Sequence, residues 1–105
     1  MDRKTLTREQ ALDTVREYKR VIRHRYHAEP KVMMYGSYTK DSANPDSDID
    51  VAVILPGSEI TDHWEQSADL WGDIRKVSVL IEPVLMEDNE DSMLYREVMR
   101  TGVTV

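Results

Sequence analysis

The sequence predicts an α/β domain: a small mixed β-sheet of three to four strands packed with about three helices. Three observations lead there. Apolar residues recur every three or four positions after residue 7, as on a helix with one buried stripe. Residues 48–55 read Asp-Ile-Asp-Val-Ala-Val-Ile-Leu, a run that becomes apolar on both strand faces after Asp50. Beyond it, helix-like and strand-like patterns alternate to the end of the 105 residues, with no repeat, linker or composition break. That length suits one domain over 1–105 with a single core.

Each element has a local reason. Thr7-Arg8-Glu9-Gln10 fits a capping box, in which the Thr hydroxyl and Gln amide satisfy free backbone N–H groups. Leu12, Val15, Tyr18, Ile22 and Tyr26 then form the apolar stripe of a helix of about five turns, which Pro30 stops. Residues 32–35 predict a first strand. Gly36 follows, where the backbone can turn sharply or approach a ligand. Residues 39–47 are dense in turn formers. Residues 48–55 predict a central second strand, and Pro56-Gly57 closes it. Asp62 and Glu65 cap a second helix, weakened by Gly72, with Trp64, Ala68, Trp71 and Ile74 as its expected buried face. Residues 77–86 predict a third strand, and Pro83 places it at an edge or a bulge. The acidic residues 87–91 lead into a third helix, where they complement its dipole. Leu94, Tyr95, Val98 and Met99 are its apolar positions and Gly102 its stop. Residues 103–105 suit a short last strand.

Composition narrows the function classes. There is no cysteine, which removes disulfides, thiolate zinc sites and a cysteine nucleophile, and fits a reducing compartment. No apolar run reaches the ~20 residues of a membrane span, and the opening Met-Asp-Arg-Lys leads into a polar segment rather than a signal-peptide core. The expectation is a soluble cytoplasmic protein without a membrane partner. Net charge is -6. Nine of the fourteen Lys and Arg lie in residues 1–31, against only five of the twenty Asp and Glu. The acidic remainder argues against a nucleic-acid face. His24 and His27 stand three apart but have no evident third ligand, and read as exposed residues near a helix C-terminus.

The chemistry gathers around residues 36–50. Asp48 and Asp50 alternate, so on a strand both carboxylates point to one face, about 6.6 Å apart along the backbone. Like charges held that close call for a divalent cation or a shared proton. Glu82 stands in an apolar strand and either completes a cluster with them or is a solvated edge residue beside Pro83. Three carboxylates suit two hard cations. Gly36 and Ser37 offer backbone N–H groups and a hydroxyl to phosphates, and Lys40 a positive charge. Taken singly the pieces are common, since Gly-Ser often follows a strand and Asp-x-Asp can cap one. Their order is the informative feature. A calcium loop built on Asp46, Asp48 and Asp50 fails, because Val51 stands where glycine is needed and Gly57 where the bidentate glutamate belongs.

Gly36-Ser37, ten intervening residues, then Asp48-Ile49-Asp50 resembles the signature of the DNA polymerase beta-like nucleotidyltransferases. The loop Asn44-Pro45-Asp46-Ser47 before it is especially similar to the minimal nucleotidyltransferases of bacteria and archaea. The resemblance spans most of the chain and implies a nucleotidyltransferase-like fold. It implies that Asp48, Asp50 and Glu82 are catalytic and bind magnesium, two ions being expected. Gly36, Ser37 and Lys40 are then expected at the nucleotide phosphates. The implied reaction moves a nucleoside monophosphate, AMP from ATP, to a hydroxyl of a protein partner. The partner implied is a HEPN-type toxin, with this chain as the antitoxin. The alternative is a non-catalytic antitoxin that neutralises by contact.

Two departures stand out. Tyr38-Thr39-Lys40-Asp41 replaces an Arg-Ala-Arg-Gly-like run, putting an acid near the phosphates, and the third acid is Glu where Asp is common. With no second substrate domain read in the sequence, the acceptor is expected on a partner surface or on a second copy in a homo-oligomer.

Overall fold

The computed structural model describes residues 5–105; the opening residues 1–4, read above as unlike a signal peptide, lie outside them. The elements run α1 (Arg8–Ile22), β1 (Lys31–Tyr35), β2 (Ile49–Leu55), α2 (His63–Asp73), β3 (Ile81–Glu87), α3 (Met93–Thr101) and β4 (Val103–Thr104). The strands form one mixed sheet in the order β3-β2-β1-β4. β1 pairs antiparallel with β2 and β4, whereas β2 and β3, joined through α2, are parallel. This is the predicted small α/β architecture. No helix among the described residues is long and apolar enough to cross a membrane.

The sheet has two covered faces. Ile49, Val51, Val53 and Leu55 of β2 pack with Val32, Met34, Ile81 and Leu85 against α1 and α2. Ala52 and Ile54 face the other way, with Met33, Met86 and the α3 residues Tyr95 and Val98. Every residue of β2 is buried except Asp50. That pattern is what a central strand with neighbours on both sides requires. α1 starts on the predicted box: the Gln10 N–H donates to Thr7 Oγ1 at 3.0 Å and the Thr7 N–H to Gln10 Oε1 at 2.9 Å. Leu12, Val15, Tyr18 and Ile22 are its buried stripe.

Four local expectations need correction. α1 stops at Ile22, well before Pro30, and a single 3-10 turn over Arg23–Arg25 follows. From that turn the Arg25 guanidinium donates to both oxygens of Asp73, at 2.6 and 2.9 Å. α2 buries Leu70 and Asp73, with Ile74 just after it, and not the expected tryptophan face: Trp64 is 87% exposed, and Ala68 and Trp71 are exposed too. Two tertiary bonds fix that rotation. One is the Arg25–Asp73 fork, and the other runs from the Tyr18 hydroxyl to the Leu70 carbonyl at 2.8 Å. β3 begins at Ile81 rather than 77, because a 3-10 turn over Ile74–Lys76 continues into the bond from Ser78 N–H to Ile74 O at 2.7 Å. α3 is capped by Ser92, whose hydroxyl accepts from the Tyr95 N–H, and its first turn carries no acid. The acidic residues instead build the preceding turn, where Glu90 accepts from both the Glu87 N–H and the Ser92 hydroxyl.

Candidate active site

The sheet register assembles the site. Asp50 on β2 lies opposite Tyr35 on β1 and opposite Glu82 on β3. Residues in register share a face, and adjacent strands run about 4.8 Å apart. Three polar side chains therefore occupy neighbouring positions in one row, just beyond the apolar patch that α3 covers. Asp48 precedes β2 by one residue and is exposed. Its charge still acts on Asp50.

Asp50 is the focus. Burial, then the charges of Glu82 and Asp48, push its carboxyl up to about 6. Beside it, Tyr35 is raised to about 12 by burial and by the charges of Asp50 and Glu82. No cation among the described residues pairs with Asp48, Asp50 or Glu82, and none of these carboxylates accepts a hydrogen bond there. Glu82 is solvent-exposed, as the edge-residue alternative beside Pro83 expects: β3 is an edge strand, and its outer side reaches water. The juxtaposition with Asp50 comes from the register alone.

Gly36 is required by the same geometry. Its φ of +80° is a left-handed conformation that side chains disfavour, and a Cβ there would collide with Asp50 Oδ2. The Gly36–Tyr38 segment is one 3-10 turn anchored by the buried Tyr38. The Gly36 carbonyl accepts from the Thr39 N–H at 3.0 Å and its hydroxyl at 2.7 Å. The Ser37 carbonyl accepts from the Lys40 and Ser42 N–H groups. The Ser37 hydroxyl has no partner among the described residues. The following loop is held by its own polar residues, as its composition predicts. Asn44 N–H donates to Ser47 Oγ at 2.9 Å, and Asp46 N–H to Asn44 Oδ1 at 2.8 Å. Lys40 sits 3.4 Å from Glu97 of α3, so its ammonium is shared with that carboxylate.

The sequence thus brings Gly36, Asp48, Asp50 and Glu82 to one end of the sheet, with Ser37 next to Gly36. Among the described residues no three His, Asp or Glu side chains form a ready-made metal cage. The donor set nonetheless fits a hard divalent cation: three carboxylates, all oxygen ligands, none neutralised, one half-buried and resisting ionisation. His24 and His27 are both exposed, and His27 Nδ1 lies 3.2 Å from Glu59. Two features escaped the sequence reading. Tyr35 is detectable only through the β1–β2 register. Asp73, buried at 2% exposure, is a structural ion pair whose partner stands 48 residues away.

The family model Polymerase beta, Nucleotidyltransferase matches residues 10–105. A crystal structure of a Sulfolobus solfataricus protein assigned as a nucleotidyltransferase shares the fold with a TM-score of 0.69 at 15% identity, covering 92% of this chain and 80% of that one. A toxin–antitoxin structure with AMP-PNP aligns at a TM-score of 0.47 and 18% identity over 94% of this chain and 72% of that one, too distant to carry an argument. The comparison with curated proteins gave no match.

Proposed function

We propose that this chain, which belongs to the polymerase beta nucleotidyltransferase family, transfers AMP from ATP to a hydroxyl of a protein partner with release of pyrophosphate. The observation that carries the reading is the pairing of Asp50 with Glu82 across β2 and β3, with Gly36 pressed against the Asp50 carboxylate. Asp48, Asp50 and Glu82 would hold magnesium, two ions on this reading, which supplies charge neutralisation to the phosphates and the leaving pyrophosphate. The chain's own part is positioning. Gly36 keeps the space beside Asp50 open. The unpartnered Ser37 hydroxyl is available to donate to a phosphate oxygen, and Lys40 would exchange Glu97 for a phosphate. The acceptor hydroxyl gives up its proton to water or to a carboxylate of the site, and its oxygen forms the new bond to the α-phosphorus as the bond to pyrophosphate breaks. No side-chain nucleophile is needed.

The family resemblance supports a HEPN-type toxin as the partner, an antitoxin role and a cytoplasmic setting. One observation favours a second reading, a non-catalytic antitoxin acting by contact: Asp48 and Glu82 are exposed, and the acids do not converge as they stand. Label transfer separates the two. With magnesium and α-phosphate-labelled ATP, the wild-type chain should label a co-expressed HEPN-type toxin, and Asp48→Asn or Asp50→Asn should not. Equal labelling by both variants would sink the metal assignment. Neutralisation without any label, by wild type and variants alike, would select the contact reading.

A further inference from the structure

A groove of about 250 Å³ lies between the start of α1 and the loop that follows β1. Tyr38 lines it from below. Its ring belongs to the core on the α1 face of the sheet and the residue is only 3% exposed, yet its hydroxyl has no partner among the described residues. Among those residues Tyr26 Oη is the one unpartnered side-chain polar atom sealed from solvent, so the Tyr38 hydroxyl is the part of that side chain that reaches the groove. A polar group on a buried side chain normally has a hydrogen bond, and this one lacks it. The rim carries two opposite charges. Arg8 borders it on the α1 side and Asp41 on the loop side; both are exposed, and neither forms an ion pair or a side-chain hydrogen bond among the described residues. Arg8 is also the first residue of α1. Thr7 takes up the Gln10 and Ala11 N–H groups, which leaves those of Arg8 and Glu9 without an intrahelical acceptor at the positive end of a 15-residue helix. Leu6 and Ala43 add apolar walls.

We infer that this groove binds a free α-amino acid with an apolar side chain. Its carboxylate takes the Arg8 guanidinium, the first turn of α1 and the Tyr38 hydroxyl as donors, and its ammonium takes Asp41. The side chain lies against Leu6 and Ala43. One cation and one anion that border a common cavity without pairing suit a ligand that is neutral overall and charged at both ends. A phosphate dianion finds a single cation there and meets Asp41 as a like charge. A simple amine leaves Arg8, the helix end and Tyr38 unanswered. The groove stands apart from the proposed reaction: Tyr38 packs on the α1 face, whereas Asp50 shares the other face with Ala52 and Ile54.

Amide chemical shifts of the isotope-labelled full chain, titrated without magnesium or nucleotide, test this. L-Valine, L-leucine and L-methionine are the probes. At least one should give saturable shifts centred on Arg8, Tyr38 and Asp41. The same molecule stripped of its amino group, or of its carboxylate, should bind about tenfold or more weakly. Arg8→Gln, Asp41→Asn and Tyr38→Phe should each raise the apparent Kd about tenfold or more, since each removes a hydrogen bond to a charged group. Tyr38→Phe keeps the buried ring, and asparagine tolerates the left-handed backbone of residue 41, where φ is +54°, so unchanged peaks elsewhere verify the fold. No saturable shift with any of the three amino acids would overturn the inference. So would full affinity in the Arg8 and Asp41 variants, or inorganic phosphate binding at these residues more tightly than the amino acids.

Discussion

Asp50→Asn should stabilise the magnesium-free protein while removing its function. The Asp50 carboxyl is held at about 6 against its ordinary 3.8, chiefly by burial and then by Glu82 and Asp48. Each tenfold change in proton affinity is worth about 1.4 kcal/mol, but a half-buried group is screened by water and salt, so about 1–2 kcal/mol of penalty survives. The sign follows from proton binding. Between pH 4 and 6 the folded state holds a proton on Asp50 that the unfolded state has lost. Stability from this group is therefore fully present below about 4 and is lost as pH rises through about 6. An asparagine cannot ionise and escapes the loss. In chelator at pH 7.5, Asp50→Asn should melt several degrees above wild type, since 1 kcal/mol moves Tm by about 4–8 °C in a domain of this size. Near pH 4 the two should coincide. Paired urea melts across that range read the difference. An Asn variant less stable than wild type at pH 7.5, or an advantage that ignores pH, would refute the account of the site as a place of unrelieved negative charge.

Other consequences are smaller in scope. Gly36→Ala combines a left-handed backbone with a collision against Asp50, so it should cost about 1–2 kcal/mol in urea unfolding and also abolish stabilisation by magnesium–ATP. Arg25→Ala strips the main partner from a buried carboxylate held below its ordinary range by that guanidinium and by Lys76. It should destabilise by about 3 kcal/mol at pH 7 while leaving magnesium–ATP binding in place at temperatures where the fold persists. Thr7→Ala removes half of the α1 capping box and should lower stability by about 1 kcal/mol, read from the urea midpoint at constant slope.

The parts legible in the sequence are those whose cause is local. The Thr7–Gln10 box lies within four residues, and the double-faced apolar run of β2 announces burial by composition alone. Gly36 and the Asp-x-Asp pair keep a spacing set by one turn and one strand start. The misread parts depend on distant partners. α2 carries two candidate apolar stripes, one through Trp64, Ala68 and Trp71, the other through Leu70 and Ile74. Helical periodicity fits both. The choice is made by Arg25 reaching Asp73 and Tyr18 reaching Leu70, contacts across 48 and 52 residues. Glu82 was legible as an acid near the aspartates and as an edge residue beside Pro83. The structure makes it both, because the register sets it opposite Asp50 while the edge leaves it in water.

The central claim is that Asp48, Asp50 and Glu82 act together on one divalent-cation and nucleotide site. Calorimetric titration of magnesium–ATP into wild type, Asp50→Asn and Glu82→Gln tests it most directly. Saturable one-site heat with the wild type that vanishes with Asp50→Asn and weakens at least tenfold, or about 1.4 kcal/mol, with Glu82→Gln is the predicted result. Identical heats from all three proteins would contradict it.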